Sequence, residues 1–420
     1  MPKIKAFAGY LVNAARAKQV VSPAYDSVSP QQRRQFAEAN PQNFLNTMRL
    51  LEDFPADARP TQSQLLSSNK ANLDKLLDDG SYEKLKTPCL FVYQLGSGAH
   101  VQTGVVCEIG IEEYEKGLVR KHENTRSDKE DLLTRYQKVV GVSSSPICLA
   151  YSQSDAIDDY VARLIEKPDD LEFISEDGAE QVVKQRVWRI ENSVEQQKLI
   201  ALFSKIEVTY LTDGHHRAAS GYRYAEMMRE QHNNRGGNHG DEPYNQLLVA
   251  LFPDNQLNLL PFHRCVKDLN GLDETQIVAA LRACFAVKKL RGQTAFDASQ
   301  HGEFGMYINQ NWYRLNVLPQ CIEQTDPVNS LDVTLLQNLI LEPIFGIKDM
   351  RGDARLDYIA GVSGDAGIKQ KCSEGWKVVF ACYATSIEQL MKVADADLLM
   401  PPKSTYFDPK PRSGIFVRLK

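Results

Sequence analysis

The spacing of apolar and polar positions changes period several times along the chain. Pro88 to Gln94 and Thr103 to Ile111 are runs of β-type residues, with Gly96-Ser97-Gly98 between them as a turn. From Asp128 to Val140 the period becomes helical, with Leu132, Leu133, Tyr136, Val139 and Val140 on one face. Ser127 followed by Glu130 reads as a capping box in front of that helix. A helix is expected from Ser193 to Lys205 and a short strand from Glu207 to Leu211. Another helix then starts, because Ala218, Ala219, Tyr222, Ala225 and Met228 recur every three or four residues. Asp213 or Thr212 is its expected N-cap. Tyr244 to Pro253 predicts a buried strand, and Asp273 to Phe285 a helix. β-Hairpin signals are as common as β-α-β signals. That predicts an α+β fold of mixed sheets with packed helices rather than a doubly wound sheet.

Length and composition add boundaries to this pattern. A chain of 420 residues is long for one core, so two domains are expected. The polar, Gly-rich segment His232 to Glu242 reads as a loop: a plain surface connector, a domain boundary or a lid. It separates an expected N-terminal domain, 1–235, from an expected C-terminal α+β domain, 243–420. The net charge of −5 gives no support for a nucleic-acid partner. No run of ~18 apolar residues predicts a membrane span. Met1 to Phe7 lacks an apolar signal segment. The eight cysteines form no C-x-x-C pair, which sets aside zinc-ribbon and thioredoxin readings and suits a reduced cytoplasm.

Three segments carry candidate chemistry. Asp213-Gly214-His215-His216-Arg217 lies at the expected strand-to-helix turn. Three potentially cationic side chains there oppose the helix macrodipole. A bound anion would remove the conflict, since a helix N-terminus is already an anion site. The second segment runs from Arg120 to Arg126, with Glu123 its one carboxylate. Glu123 could take a proton from a substrate hydroxyl, while Arg120, Lys121, His122 and Arg126 hold phosphate oxygens. The alternative is a solvated basic loop. The third, Met400 to Phe407, offers Lys403, Ser404 and Thr405 as one cation and two hydroxyls. Its alternative is the start of a strand with a polar edge. The chain has no G-x-x-x-x-G-K-[ST] loop, no G-x-G-x-x-G turn and no second His at metalloprotease spacing after His122-Glu123. Adjacent His215 and His216 point differently on a helix and do not easily ligate one metal together, although one of them with Asp213 and Glu123 could bind a divalent ion; no protein metal site is assigned. Mg²⁺ carried in with a phosphate donor needs few protein ligands.

Five motifs occur in order along the chain: Pro23-Ala24-Tyr25-Asp26, Asn40 to Leu45, His122 to Thr125, Asp213 to Arg217, and Met400 to Thr405. In this the chain resembles the domain-of-unknown-function 1015 family of conserved cytosolic proteins. The Asp-Gly-His-His-Arg turn also looks like the phosphate-binding turn of the ParB/sulfiredoxin-like fold, whose members include free serine kinases. The resemblance implies a ParB/sulfiredoxin-like phosphate-binding core with an additional domain. It further implies a small-molecule kinase that converts free L-serine to O-phosphoserine, with ATP, ADP or pyrophosphate as donor and Mg²⁺ accompanying it. Glu123 would be the base, and Asp213 would orient the substrate or the metal ion. Gly214, His215, His216 and Arg217 would cradle donor phosphates, with His122, Thr125, Arg126, Lys403, Ser404 and Thr405 as further contacts. A non-catalytic nucleotide sensor and a phosphohydrolase are the alternatives. The chain departs from the family pattern at Lys129-Glu130-Asp131-Leu132, where an Arg is expected in place of Leu132.

Overall fold

The computed structural model describes residues 3–23, 29–176, 182–233, 242–292, 294–323 and 325–420. Ala24 to Asp26 of the first motif and residues 234–241 of the polar loop lie outside them. The chain forms two units: Met1–Leu257 together with Pro409–Lys420, and Asn258–Asp408.

The first unit is built on a nine-stranded mixed sheet. Its strands are β1 (Ile4–Lys5), β2 (Leu90–Ser97), β3 (His100–Gly110), β4 (Val119–Arg120), β5 (Ile147–Tyr151), β6 (Leu171–Glu176), β7 (Val182–Ile190), β8 (Thr209–Asp213) and β9 (Gln246–Pro253). The order is β4-β8-β5-β9-β3-β2-β7-β6, with β1 also on β3. The expected hairpin is β2–β3, pairing from Phe91↔Val106 to Ser97↔His100, so its turn is tighter than the sequence suggested. Central strands read as continuous apolar runs because both faces are covered. Phe91, Tyr93, Val106, Ala250 and Phe252 join one core. Their neighbours Leu90, Val92, Val105, Val249 and Leu251 join the other. This is the two-residue alternation of a strand.

Two helices matter for the site: α1 (Ser127–Val139) and α2 (His215–Asn233). Ala218, Tyr224 and Ala225 of α2 pack into the second of those cores. The helices are tied by Gln137 Nε2, which donates to Ser220 Oγ at 3.0 Å, and by ion pairs from Arg223 to Glu130 and Asp131. The expected capping box at Ser127 is absent. Arg126 occupies the N-cap position without a side-chain bond. Glu130 instead accepts from the Thr125 hydroxyl and from Arg223.

The division does not fall between 235 and 243. It follows Leu257, because β9 is inserted between β3 and β5 and so belongs to the first sheet. The strand Phe416–Leu419 also belongs to this unit, pairing with Tyr10–Val12 and with Val142–Ser143.

The second unit carries a six-stranded antiparallel sheet. Its helix Glu274–Leu281 has Asp273 as N-cap in a capping box with Gln276. It stops before Phe285, which begins a strand paired with Asn311–Val317. The whole is therefore mixed α+β. Among the described residues no helix is long and apolar enough to cross a membrane.

Candidate functional site

The His122–Glu123 and Asp213–Arg217 motifs meet because two short strands run parallel. Val119 and Arg120 of β4 pair with Thr209 and Tyr210 of β8. The segments that leave these strands, 121–123 and 213–215, therefore emerge at the same sheet end. The His122 and His215 rings meet edge to face, with centroids 4.6 Å apart. Glu123 Oε2 lies 3.7 Å from His215 Nδ1, just beyond hydrogen-bond range.

The strand-to-helix junction is Gly214, at φ +98°. Its carbonyl accepts from Ala218 N, so Gly214, rather than Asp213 or Thr212, stands where the N-cap was expected. Thr212 lies at a register shift in the β8–β5 pairing, and its hydroxyl donates to Cys148 O at 3.1 Å. A Cβ on Gly214 would come 3.0 Å from Arg217 Cζ. Gly214→Ala is therefore expected to cost roughly 1–3 kcal/mol, from positive φ and from displacement of that guanidinium. Urea unfolding checks this; an unshifted midpoint would show that the turn does not need glycine.

Asp213 is the electrostatic centre. One carboxylate oxygen accepts from Arg217, and the other from Lys410 Nζ at 2.8 Å. Burial alone would raise its pKa, but Lys410 and Arg217 outweigh that and hold it well below the usual carboxylate range. Arg217 also donates to Ser145 O and Pro146 O, at 2.8 and 2.6 Å. Lys410 was not anticipated. Its only signal is a lysine between two prolines near the C-terminus.

The expected crowd of cations at the helix start is not present as such. Burial pushes His122 down to about 4. Burial, reinforced by His122, holds His215 far below its ordinary value, and burial also lowers His216. Near neutral pH these imidazoles are uncharged, and Arg217 is matched by Asp213. The conflict with the macrodipole is thus smaller than the residue types imply, with Arg217 and Lys410 sharing the one charge of Asp213. What the site offers a ligand is neutral imidazole, the first N–H groups of α2, and one carboxylate. The first N–H groups of any helix lack intrahelical partners. His215 Nε2 is buried with no hydrogen-bond partner among the described residues.

The other expected contacts are distributed differently. His216 Nε2 accepts from Arg126 N at 3.1 Å, which fixes the loop to the helix start. The Arg126 side chain is exposed and pairs with Asp128 at 2.8 Å. Lys121 Nζ sits 4.9 Å over the Tyr114 ring. Lys403, Ser404 and Thr405 belong to the second unit. There Lys403 has φ +57° and its Nζ lies 5.0 Å over the Phe262 ring. The Ser404 hydroxyl is buried and donates to Pro401 O at 2.7 Å.

No curated protein matches the chain. Among solved structures it is similar to a free serine kinase in complex with AMP, at 11% identity and TM-score 0.34, over 72% of this chain and 86% of that one. It is also similar to a conserved hypothetical protein from Pyrococcus furiosus, at 12% identity and TM-score 0.33, over 73% and 93%. A third similar structure is SbnI with C-terminal truncation from Staphylococcus aureus, at 9% identity and TM-score 0.36, over 73% and 84%. Residues 4–334 match the family described as "Protein of unknown function (DUF1015)", and the chain belongs to that family.

Proposed function

We propose that the chain is a phosphotransferase that moves a phosphoryl group from ATP, ADP or pyrophosphate to a small-molecule hydroxyl, with free L-serine as the acceptor. The observation that carries this reading is the Glu123 carboxylate set 3.7 Å from His215 at the first turn of α2. A base and a helix N-terminus are thereby brought together, although about ninety residues separate them in sequence. Phosphoryl transfer depends mainly on positioning and on neutralising charge. Glu123 takes the proton of the acceptor hydroxyl. The new O–P bond forms at that oxygen, and the donor's leaving phosphate carries away the electron pair of the broken bond. The N–H groups of α2 and the buried imidazoles of His122 and His215 face the donor phosphates. In this reading the β8–Gly214–α2 turn is the phosphate-binding turn of a ParB/sulfiredoxin-like core, and the second unit is an addition to it.

Asp213 enters as the residue that holds the turn, since Arg217 and Lys410 already occupy its two oxygens. Among the described residues no cluster of three or more His, Cys, Asp or Glu could hold a metal ion. Mg²⁺ would come bound to the donor, where it neutralises phosphate charge. The test is to incubate the protein with L-serine and each donor in turn and to measure O-phosphoserine. Its formation with one of them is expected. Formation with none overturns the assignment, and phosphate release without any amino acid would make water the acceptor.

A further inference from the structure

Behind Arg217 lies a cavity of about 70 Å³ that the phosphoryl-transfer reading does not use. Arg217, Ser220 and Gly221 line it from one face of α2, Gln137 from α1, and Lys420 from the end of the chain. His215 is two residues from Arg217 and so lies on a different helix face. The cavity is several times the ~10–15 Å³ that one water needs, and well below the ~150 Å³ that accommodates benzene. Leu133, Val142 and Leu248 supply apolar wall.

Two polar groups in it are incompletely used. Ser220 Oγ donates to Arg217 O at 3.1 Å, so it must accept from Gln137 Nε2. That fixes the amide orientation and leaves Gln137 Oε1 buried with no hydrogen-bond partner among the described residues. Gln137 is only 8% exposed. A buried acceptor without a donor keeps its full desolvation cost. Among the described residues Lys420 Nζ makes one hydrogen bond, to Gln246 O at 2.7 Å, out of three that an ammonium can donate. The Glu108 carboxylate pairs with Arg418 at 2.6 Å and also favours the charged form of Lys420 against its burial. Among the described residues the cavity thus holds one unused acceptor, on Gln137, and unused N–H groups on Lys420, with apolar wall beside them.

We propose that it binds a short α-amino acid of the size of glycine to serine, its ammonium donating to Gln137 Oε1 and its carboxylate accepting from Lys420 Nζ. This site stands apart from the phosphoryl-transfer reading and does not depend on it. Arg217 links the two places, since it lines the cavity and holds Asp213.

Calorimetric titration of the full chain with glycine, glycolate and L-leucine tests the proposal. Glycine is expected to bind, glycolate at least tenfold more weakly because it lacks the ammonium, and L-leucine not at all because of its size. Gln137→Met should erase the glycine-to-glycolate preference, and Lys420→Met should weaken both. The preference is a ratio within one variant, so a moderate loss of stability does not mimic it. Absence of glycine binding in the unaltered protein, or an unchanged preference in Gln137→Met, overturns the assignment. Neither result touches the O-phosphoserine assay, so the two readings fail separately.

Discussion

Glu123→Gln is expected to lower O-phosphoserine formation by about 10²–10⁴-fold, the usual contribution of a positioned general base. The amide keeps the size and most of the polarity of the carboxylate but cannot take a proton from the acceptor hydroxyl. The side chain is about one-third exposed, so the exchange should alter stability little. Affinity for the donor should change far less than turnover, because in the proposed reading the N–H groups of α2 hold the phosphates. A fall in turnover with unchanged donor affinity is therefore the expected signature. Full activity in the variant would remove Glu123 as the base, and equal losses in binding and turnover would make it a binding residue instead.

Local pattern was enough for several elements of the first unit and for the position of the main motif. The continuous apolar runs of β2, β3 and β9 gave those strands, and the three- and four-residue spacing after Arg217 gave α2. Asp213 to Arg217 does lie at a strand-to-helix turn, as its flanking residues implied. Three features were not legible, each for a physical reason. β4 has only two residues, too few for a periodic signal, yet its parallel pairing with β8 is what brings Glu123 to His215. The charge of His122, His215 and His216 depends on burial, which is a tertiary property. Read from sequence, His215 and His216 are potential cations opposing the macrodipole; burial in the fold disfavours their charged forms. Lys410 and Asp213 are 197 residues apart, so no local rule connects them. The Ser127–Glu130 pair met the capping-box pattern, but Thr125 and Arg223 took the glutamate. A motif fixes which bonds are possible, and competition among neighbours decides which form.

That competition is strongest at Asp213, and its removal should have the largest effect on stability. Asp213→Asn is expected to destabilise the protein by roughly 3–5 kcal/mol, because it leaves Arg217 and Lys410, both mostly buried, without their shared counter-charge. Lys410→Met should cost less, since Arg217 still neutralises the carboxylate. The effect must also depend on pH in one direction. The folded-state pKa of Asp213 is depressed below the unfolded value of about 3.9. Its contribution is therefore fully present above that value and is lost as pH falls through the folded-state pKa. Urea unfolding of both proteins from pH 7 to pH 3 should show a constant gap down to about pH 4 and a narrowing gap below it. A gap that stays the same down to pH 3 would mean that the carboxylate acts through its shape and hydrogen bonds rather than its charge. The first turn of α2 would then be held by the fit of Arg217 over Gly214, and Gly214→Ala would become the more damaging of the two substitutions.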